Sequence, residues 1–296
     1  MREKQEFWAG VQAELAVLDP AVELKPAQYQ STAFNIQAIS FTSLYAERIR
    51  GILIAPKTTA KVPLVIDYLG YTNFISDPTQ FYHWPAVGCA CLVIDNRGQG
   101  GATLDQQPYA ITFGTTPMGQ GFLDPQDFYM KRVVADHLLE VQVGRDLPMI
   151  DADRIFLRGG SQGGGLAVMV GALTPIKLKA IFADVPSQSN LVERIKERAG
   201  SYGVLGDYLE LHPEDQEKVF AMIRYFDTQY FASQISAPIY CSVGDQDTTC
   251  PPADFQVTYD RITAPKELKV YHGHAHEGGG LERSKWEVDQ VLALID

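Results

Sequence analysis

Three histidines at every second position, His272, His274 and His276, would share one face of a β-strand. Two chemistries fit that spacing. Converging imidazoles can ligate Zn²⁺, or one of them can act as the base for a nucleophile elsewhere in the chain. The chain offers such a nucleophile. Gly159-Gly160-Ser161-Gln162-Gly163 is a G-x-S-x-G set between an apolar run and an apolar, helix-forming segment. A tight strand-to-helix turn there pushes the serine oxygen above the sheet edge, and the amides at the helix start can hold an oxyanion. The glycines are required because strand and helix backbones approach too closely for a Cβ. A phosphate-binding reading of the same turn fails for want of a following lysine.

A serine hydroxyl needs a base, and the base needs an orienting carboxylate, which on this kind of sheet arrive in the order Ser, Asp or Glu, His. After the run APIYCSVG come Asp245 and Asp247. Spacing leaves both open. Asp247, deeper in the turn, is the preferred acid, whereas Asp245 follows a glycine and could bond its own backbone. His276 lies furthest past its strand, before Glu277 and three glycines, where a loop can swing the ring over the sheet edge. It is the expected base. His272 and His274 are expected on the strand or its rim, and Glu277 in a solvated or salt-bridged role. A zinc site would compete for the imidazole that the serine needs, and no H-E-x-x-H or cysteine pair supports it, so neither metal nor cofactor is expected.

The elements that must position these groups are legible as short apolar runs at 63–70, 89–98, 154–160, 178–186, 237–245 and 267–274, most of them separated by segments of helical spacing. Strands buried on both faces read this way, so a mostly parallel sheet covered by helices is expected. Two alternating runs, 35–43 and 47–56, read as an antiparallel edge pair following an opening helix. The chain is read as one domain over 1–296. Two inserts, 99–125 and 187–230, follow strands and are expected to wall the binding crevice, the second as a cap.

The 296 residues carry a net charge of −11, which repels phosphate backbones and argues against nucleic acid or an anionic membrane as partner. No apolar run approaches the roughly 18 residues that span a bilayer. The N-terminal MREKQEFWAGVQAEL lacks the features of a secretory signal, from which a cytoplasmic location is expected. The four cysteines, Cys89, Cys91, Cys241 and Cys250, show no C-x-x-C, three of them lie in or beside apolar runs that read as buried strands, and core thiols are the better reading than disulfides.

Arg97-Gly98-Gln99, the G-x-S-Q-G at 159–163 and His276-Glu277, together with YLGY at 68–71, DVP at 184–186 and the run from Gly244 to Pro252, resemble carbohydrate esterase family 7. This is the cephalosporin C deacetylase and acetyl xylan esterase group. The resemblance extends from about Phe7 to the C-terminus. It implies an α/β-hydrolase fold with Ser161 as nucleophile, Asp247 as orienting acid and His276 as base. It also implies an oxyanion held by the backbone amides of Tyr71 and Gln162, with the Tyr71 side chain walling a small acyl pocket. Arg97 and Gln99 are implied to brace the active-site loops. Members commonly form ring-like hexamers, so a homo-oligomer is implied, although the segment before Phe7 and the 99–125 insert look shorter than is usual. The resulting expectation is a serine esterase that deacetylates small acetylated carbohydrates, including xylooligosaccharides, and cephalosporin C. A hydrolase of the same fold acting on other esters, thioesters or peptides, and a non-catalytic carbohydrate-binding protein, are the competing readings.

Overall fold

The computed structural model describes residues 2–295. In chain order its elements are α1 (Arg2–Ala16), β1 (Glu23–Pro26), β2 (Phe34–Thr42), β3 (Arg48–Pro56), β4 (Val62–Tyr68), α2 (His83–Ala86), β5 (Ala90–Ile94), α3 (Tyr129–Asp146), β6 (Ile150–Gly160), α4 (Gln162–Leu173), β7 (Ala180–Asp184), α5 (Leu191–Lys196), α6 (Gly203–Leu211), α7 (Gln216–Ile223), β8 (Ile239–Gly244), α8 (Pro252–Tyr259), β9 (Lys266–Tyr271) and α9 (Gly280–Ile295). The strands form one sheet in the order β1-β2-β3-β5-β4-β6-β7-β8-β9. From β5 to β9 all neighbours are parallel, and the three strands on the other side are antiparallel.

Strand alternation sorts the core into two layers. Leu64, Ile66, Ile155, Leu157 and Ile181 face α3 and α4, while Val65, Phe156 and Phe182 face Trp84 of α2 and Trp286 and Val291 of α9. Strands β4, β5 and β7 are buried at every residue, the pattern of a sheet covered on both sides. Cys89, Cys91 and Cys241 lie in this interior, and all four thiols are free.

Two strand expectations need correction. β2 and β3 pair antiparallel, but β1 lies outside β2 and β3 joins β5, so they are not the sheet margin. β9 ends at Tyr271 rather than at residue 274, and Gly273, at φ 82°, turns the chain immediately after it. His272 therefore lies in the turn and His274 just past it, at the rim of the sheet rather than on the strand.

The reversal of strand order falls at β4: the chain goes outward from it to β5 on one side, and β6 lies on its other side. A crevice opens at the carboxyl ends of strands at such a point. Tyr71 follows β4 and Ser161 follows β6, on adjacent strands.

Candidate active site

Ser161 caps α4 at φ 58° and ψ −119°, a strained conformation for a side-chain-bearing residue. Its backbone is fixed from both sides. The amide donates to the Asp184 carbonyl at 2.9 Å, and the carbonyl accepts from Gly165 and Ser187 at 3.0 Å each. The turn closes only because of its glycines: a Cβ at Gly163 would stand 2.1 Å from the Tyr68 carbonyl oxygen, and one at Gly159 would stand 2.4 Å from the Gly163 carbonyl group. The sequence thus folds into a turn that holds one hydroxyl clear of the sheet.

His276 Nε2 lies 2.9 Å from Ser161 Oγ, and its Nδ1 lies 2.8 Å from Asp247 Oδ2. The other Asp247 oxygen accepts from the Thr249 and Cys250 amides at 2.8 and 2.9 Å, which locks the carboxylate in the turn after β8. The three side chains come from the ends of β6, β8 and β9 and meet at one rim. The two other histidines go elsewhere. His272 Nδ1 lies 3.0 Å from Asp245, and His274 Nδ1 lies 3.0 Å from Glu277. Asp245 also accepts from the Gly273 amide at 2.8 Å, so its carboxylate shapes the turn after β9.

The Tyr71 and Gln162 amides have no acceptor among the described residues. The loop carrying Tyr71 is braced through Gln99, whose Oε1 accepts from the Thr72 amide at 2.7 Å. Gln99 Nε2 in turn donates to the Tyr129 hydroxyl at 2.9 Å, and that hydroxyl donates to the Arg97 carbonyl at 2.6 Å. Arg97 is fully buried and grips Asp136 of α3 with two bonds, at 2.7 and 2.5 Å. Thr72 itself sits at φ 57°, so the loop needs this external support.

Beside the turn lies a charge cluster that is largely buried, with Arg158 partly exposed where it borders an open groove. Arg158 of β6 contacts Asp67, Asp184 and Glu287, and Arg283 of α9 contacts Asp184 and Glu287. Burial opposes ionisation of Asp184, but the Arg283 and Arg158 guanidinium groups prevail and hold its carboxyl below the ordinary value. Ser242 Oγ joins the cluster to the base loop, donating to Asp184 at 2.8 Å beside the Gly278 carbonyl.

Two spaces meet at Ser161. A small cavity of about 90 Å³ is bounded by Tyr71, Gln162, Gln188, Tyr202 and Cys250, while an open groove of about 640 Å³ runs past His276, Asn73 and Glu277. Both include Tyr71 and Ser161. Residues of the 187–230 insert form much of the small cavity. The 99–125 insert borders neither space; its Phe113 and Phe122 pack on Tyr208 of the other insert and support it from outside. Burial drives the Cys250 thiol up to about 12, so this cavity wall is a neutral thiol. Gln188 and Tyr202 went unnoticed as cavity residues in the sequence, since nothing in their spacing tells a cap loop which way to fold, and Cys250, expected as a core thiol, is only partly buried and lines this cavity instead.

A model of the acetyl xylan esterase family matches residues 2–290. The chain belongs to that family. The acetyl xylan esterase from Paenibacillus sp. R4 superposes with a TM-score of 0.93 at 28% identity, over 99% of this chain and 94% of that one. Acetyl xylan esterase 1 from Thermoanaerobacterium sp. JW/SL YS485 gives the same TM-score of 0.93 at 26% identity, over 99% and 94%. The acetyl esterase Axe7A of Xylanibacter ruminicola is 27% identical over 251 residues, which are 83% of this chain and 56% of Axe7A. The chain thus spans about half the length of that curated relative. Family and architecture agree: the fold is that of an α/β-hydrolase.

Proposed function

We propose that the chain is a serine esterase that removes acetyl groups from small acetylated carbohydrates, acetylated xylooligosaccharides foremost, with cephalosporin C as a further substrate. The observation that carries this reading is the unbroken line Asp247–His276–Ser161, ending where a small cavity meets a wide groove. The acetyl group enters the cavity and the sugar lies in the groove. Ser161 Oγ attacks the acetyl carbonyl carbon as its proton passes to His276 Nε2, and the carbonyl oxygen becomes an oxyanion held by the Tyr71 and Gln162 amides. The ester bond breaks and His276 returns the proton to the departing sugar hydroxyl. Water then gives a proton to His276, its oxygen attacks the acetyl-serine, and acetate leaves as the proton returns to Ser161. Asp247 holds the imidazole in the tautomer with its Nε2 lone pair toward the serine.

The test is acetate release across acetylated xylooligosaccharides, cephalosporin C and acetylated monosaccharides, with Ser161→Ala as control. The variant is expected to stay folded and to lose about 10⁴-fold or more in kcat. Near wild-type rates in that variant would remove the proposal. Acetyl, butyryl and octanoyl esters of one alcohol should show a steep fall with chain length, and a preference for the long chains would defeat the acetyl assignment. Self-association belongs to the same proposal, on the strength of the family resemblance, and sedimentation equilibrium measures it.

A further inference from the structure

Among the residues lining the small cavity beside Ser161 are polar side chains for which an acetyl methyl has no use. Gln188 is only 2% exposed, yet neither its Oε1 nor its Nε2 has a hydrogen-bond partner among the described residues. The hydroxyl of Tyr202, another residue lining this cavity and 4% exposed, is equally without one. A buried amide left unmatched costs about 1–3 kcal/mol, so a partner from outside the chain is called for.

The surroundings are built to keep the Gln188 amide there. Its backbone lies at φ 65°, in the left-handed region, and is pinned by its carbonyl, which accepts from the Thr228 amide at 2.8 Å and the Thr228 hydroxyl at 2.9 Å. A Cβ at Gly165 would stand 3.0 Å from Gln188 Cδ and 3.0 Å from Oε1, so the first turn of α4 leaves room for this side chain. Strain of this kind persists where the surroundings over-determine it, as in ligand sites. Burial raises the Tyr202 phenol far above its ordinary value, so it remains a hydrogen donor. The cavity, about 90 Å³, is several times what one water needs, roughly 10–15 Å³.

We propose that this cavity accepts short acyl groups bearing a hydroxyl beside the carbonyl, hydroxyacetyl and 2-hydroxypropionyl being the smallest, and that the chain hydrolyses their esters as a second activity. The hydroxyl of the acyl group bonds the Gln188 amide and the Tyr202 hydroxyl. Ester and water yield hydroxy acid and alcohol by the same two half-reactions. This inference rests on the esterase reading above and names a further substrate class for the same site.

The experiment compares ethyl acetate, ethyl hydroxyacetate and ethyl propionate by acid release, each kcat/KM divided by that ester's hydroxide rate constant to remove intrinsic reactivity. Hydroxyacetyl and propionyl are near-isosteres, so their ratio reports the hydroxyl. The wild-type ratio is expected to favour hydroxyacetyl by about 10-fold or more, and to fall toward 1 in Gln188→Leu and Tyr202→Phe. Tyr202→Phe removes one oxygen only and carries the test if Gln188→Leu fails to fold. A wild-type ratio near or below 1, as expected when water alone satisfies these groups, overturns the inference, as does a ratio that both variants leave unchanged. Absence of ethyl acetate hydrolysis would instead overturn the esterase reading itself.

Discussion

Asp247 holds two things at once: one oxygen faces the imidazole of His276 and the other accepts two backbone amides. Asp247→Asn keeps an oxygen for the amides but turns an N–H toward Nδ1, which favours the wrong imidazole tautomer. Activity is expected to fall about 10⁴-fold in kcat with little change in thermal stability, as steady-state kinetics and a melting curve would reveal. A large stability loss with modest kinetic loss would mean that the carboxylate serves the turn rather than the ring. Spacing alone left Asp245 and Asp247 both open, because the choice depends on which turn each carboxylate closes. Ser161 was legible for a firmer reason. Its glycines are dictated by backbone contact, and Gly163→Ala, meeting the Tyr68 carbonyl at 2.1 Å, is expected to abolish soluble expression or lower stability by several kcal/mol.

At the scale of elements, the loop after β4 is positioned by groups that never reach the reacting atoms. Gln99→Leu removes the acceptor of the Thr72 amide, one residue from Tyr71. It is expected to lower kcat about 10- to 100-fold while leaving KM within a few-fold, since misplacing an oxyanion donor acts on the transition state. An unchanged kcat would show that the loop holds itself. Helix α3 contributes a second, buried arrangement. His137 Nε2 lies 2.7 Å from Asn96 Oδ1 and Nδ1 lies 2.7 Å from Glu140 Oε2. With the ring kept neutral by burial, Nε2–H donates to Asn96 and Nδ1 accepts a hydrogen bond from a neutral Glu140 carboxyl. Burial raises Glu140 well above the ordinary 4.5 and presses His137 down to about 3.

The signs of the two linkages differ. The folded chain keeps the Glu140 proton that the unfolded chain loses above about 4.5, so this group's stabilisation declines as pH rises from there. His137 stays neutral when folded, and its stabilisation is lost as pH falls from about 6.5 toward 3. Glu140→Gln can still donate to Nδ1 and removes only the first dependence. Its melting temperature relative to wild type is expected to climb between pH 5 and pH 8, and a flat difference over that range would show that Glu140 is ionised. None of this was readable from the sequence, where α3 showed helical spacing without revealing which polar residues would be sealed inside. β1 escaped notice for the opposite reason: four mostly exposed residues carry no alternation to read.

Across the whole molecule, the short unbroken apolar runs made the parallel sheet legible, because strands covered on both faces have few other ways to be written. The placement of the cap was not legible, since it depends on contacts between the first helix and residues more than 200 positions later. Trp8 of α1 donates its indole N–H to the Tyr225 carbonyl at 2.8 Å, and Phe7 and Trp8 pack edge-on against Phe226. The first helix thereby clamps the far end of the 187–230 insert. Trp8→Ala is expected to cost about 3–5 kcal/mol in denaturant unfolding and to speed amide hydrogen exchange in that insert. Unaltered exchange there would disconnect the helix from the cap.

One further outcome follows from where β9 sits. It is the last strand of the sheet, bonded on one side only, with just Tyr271 of its six residues buried, and the imidazole of His276 hangs five residues beyond it. Margins of this kind fray before interiors melt. In rising urea, ester cleavage should therefore vanish at a concentration where circular dichroism still reports an intact molecule, and dilution should restore it within the dead time of hand mixing.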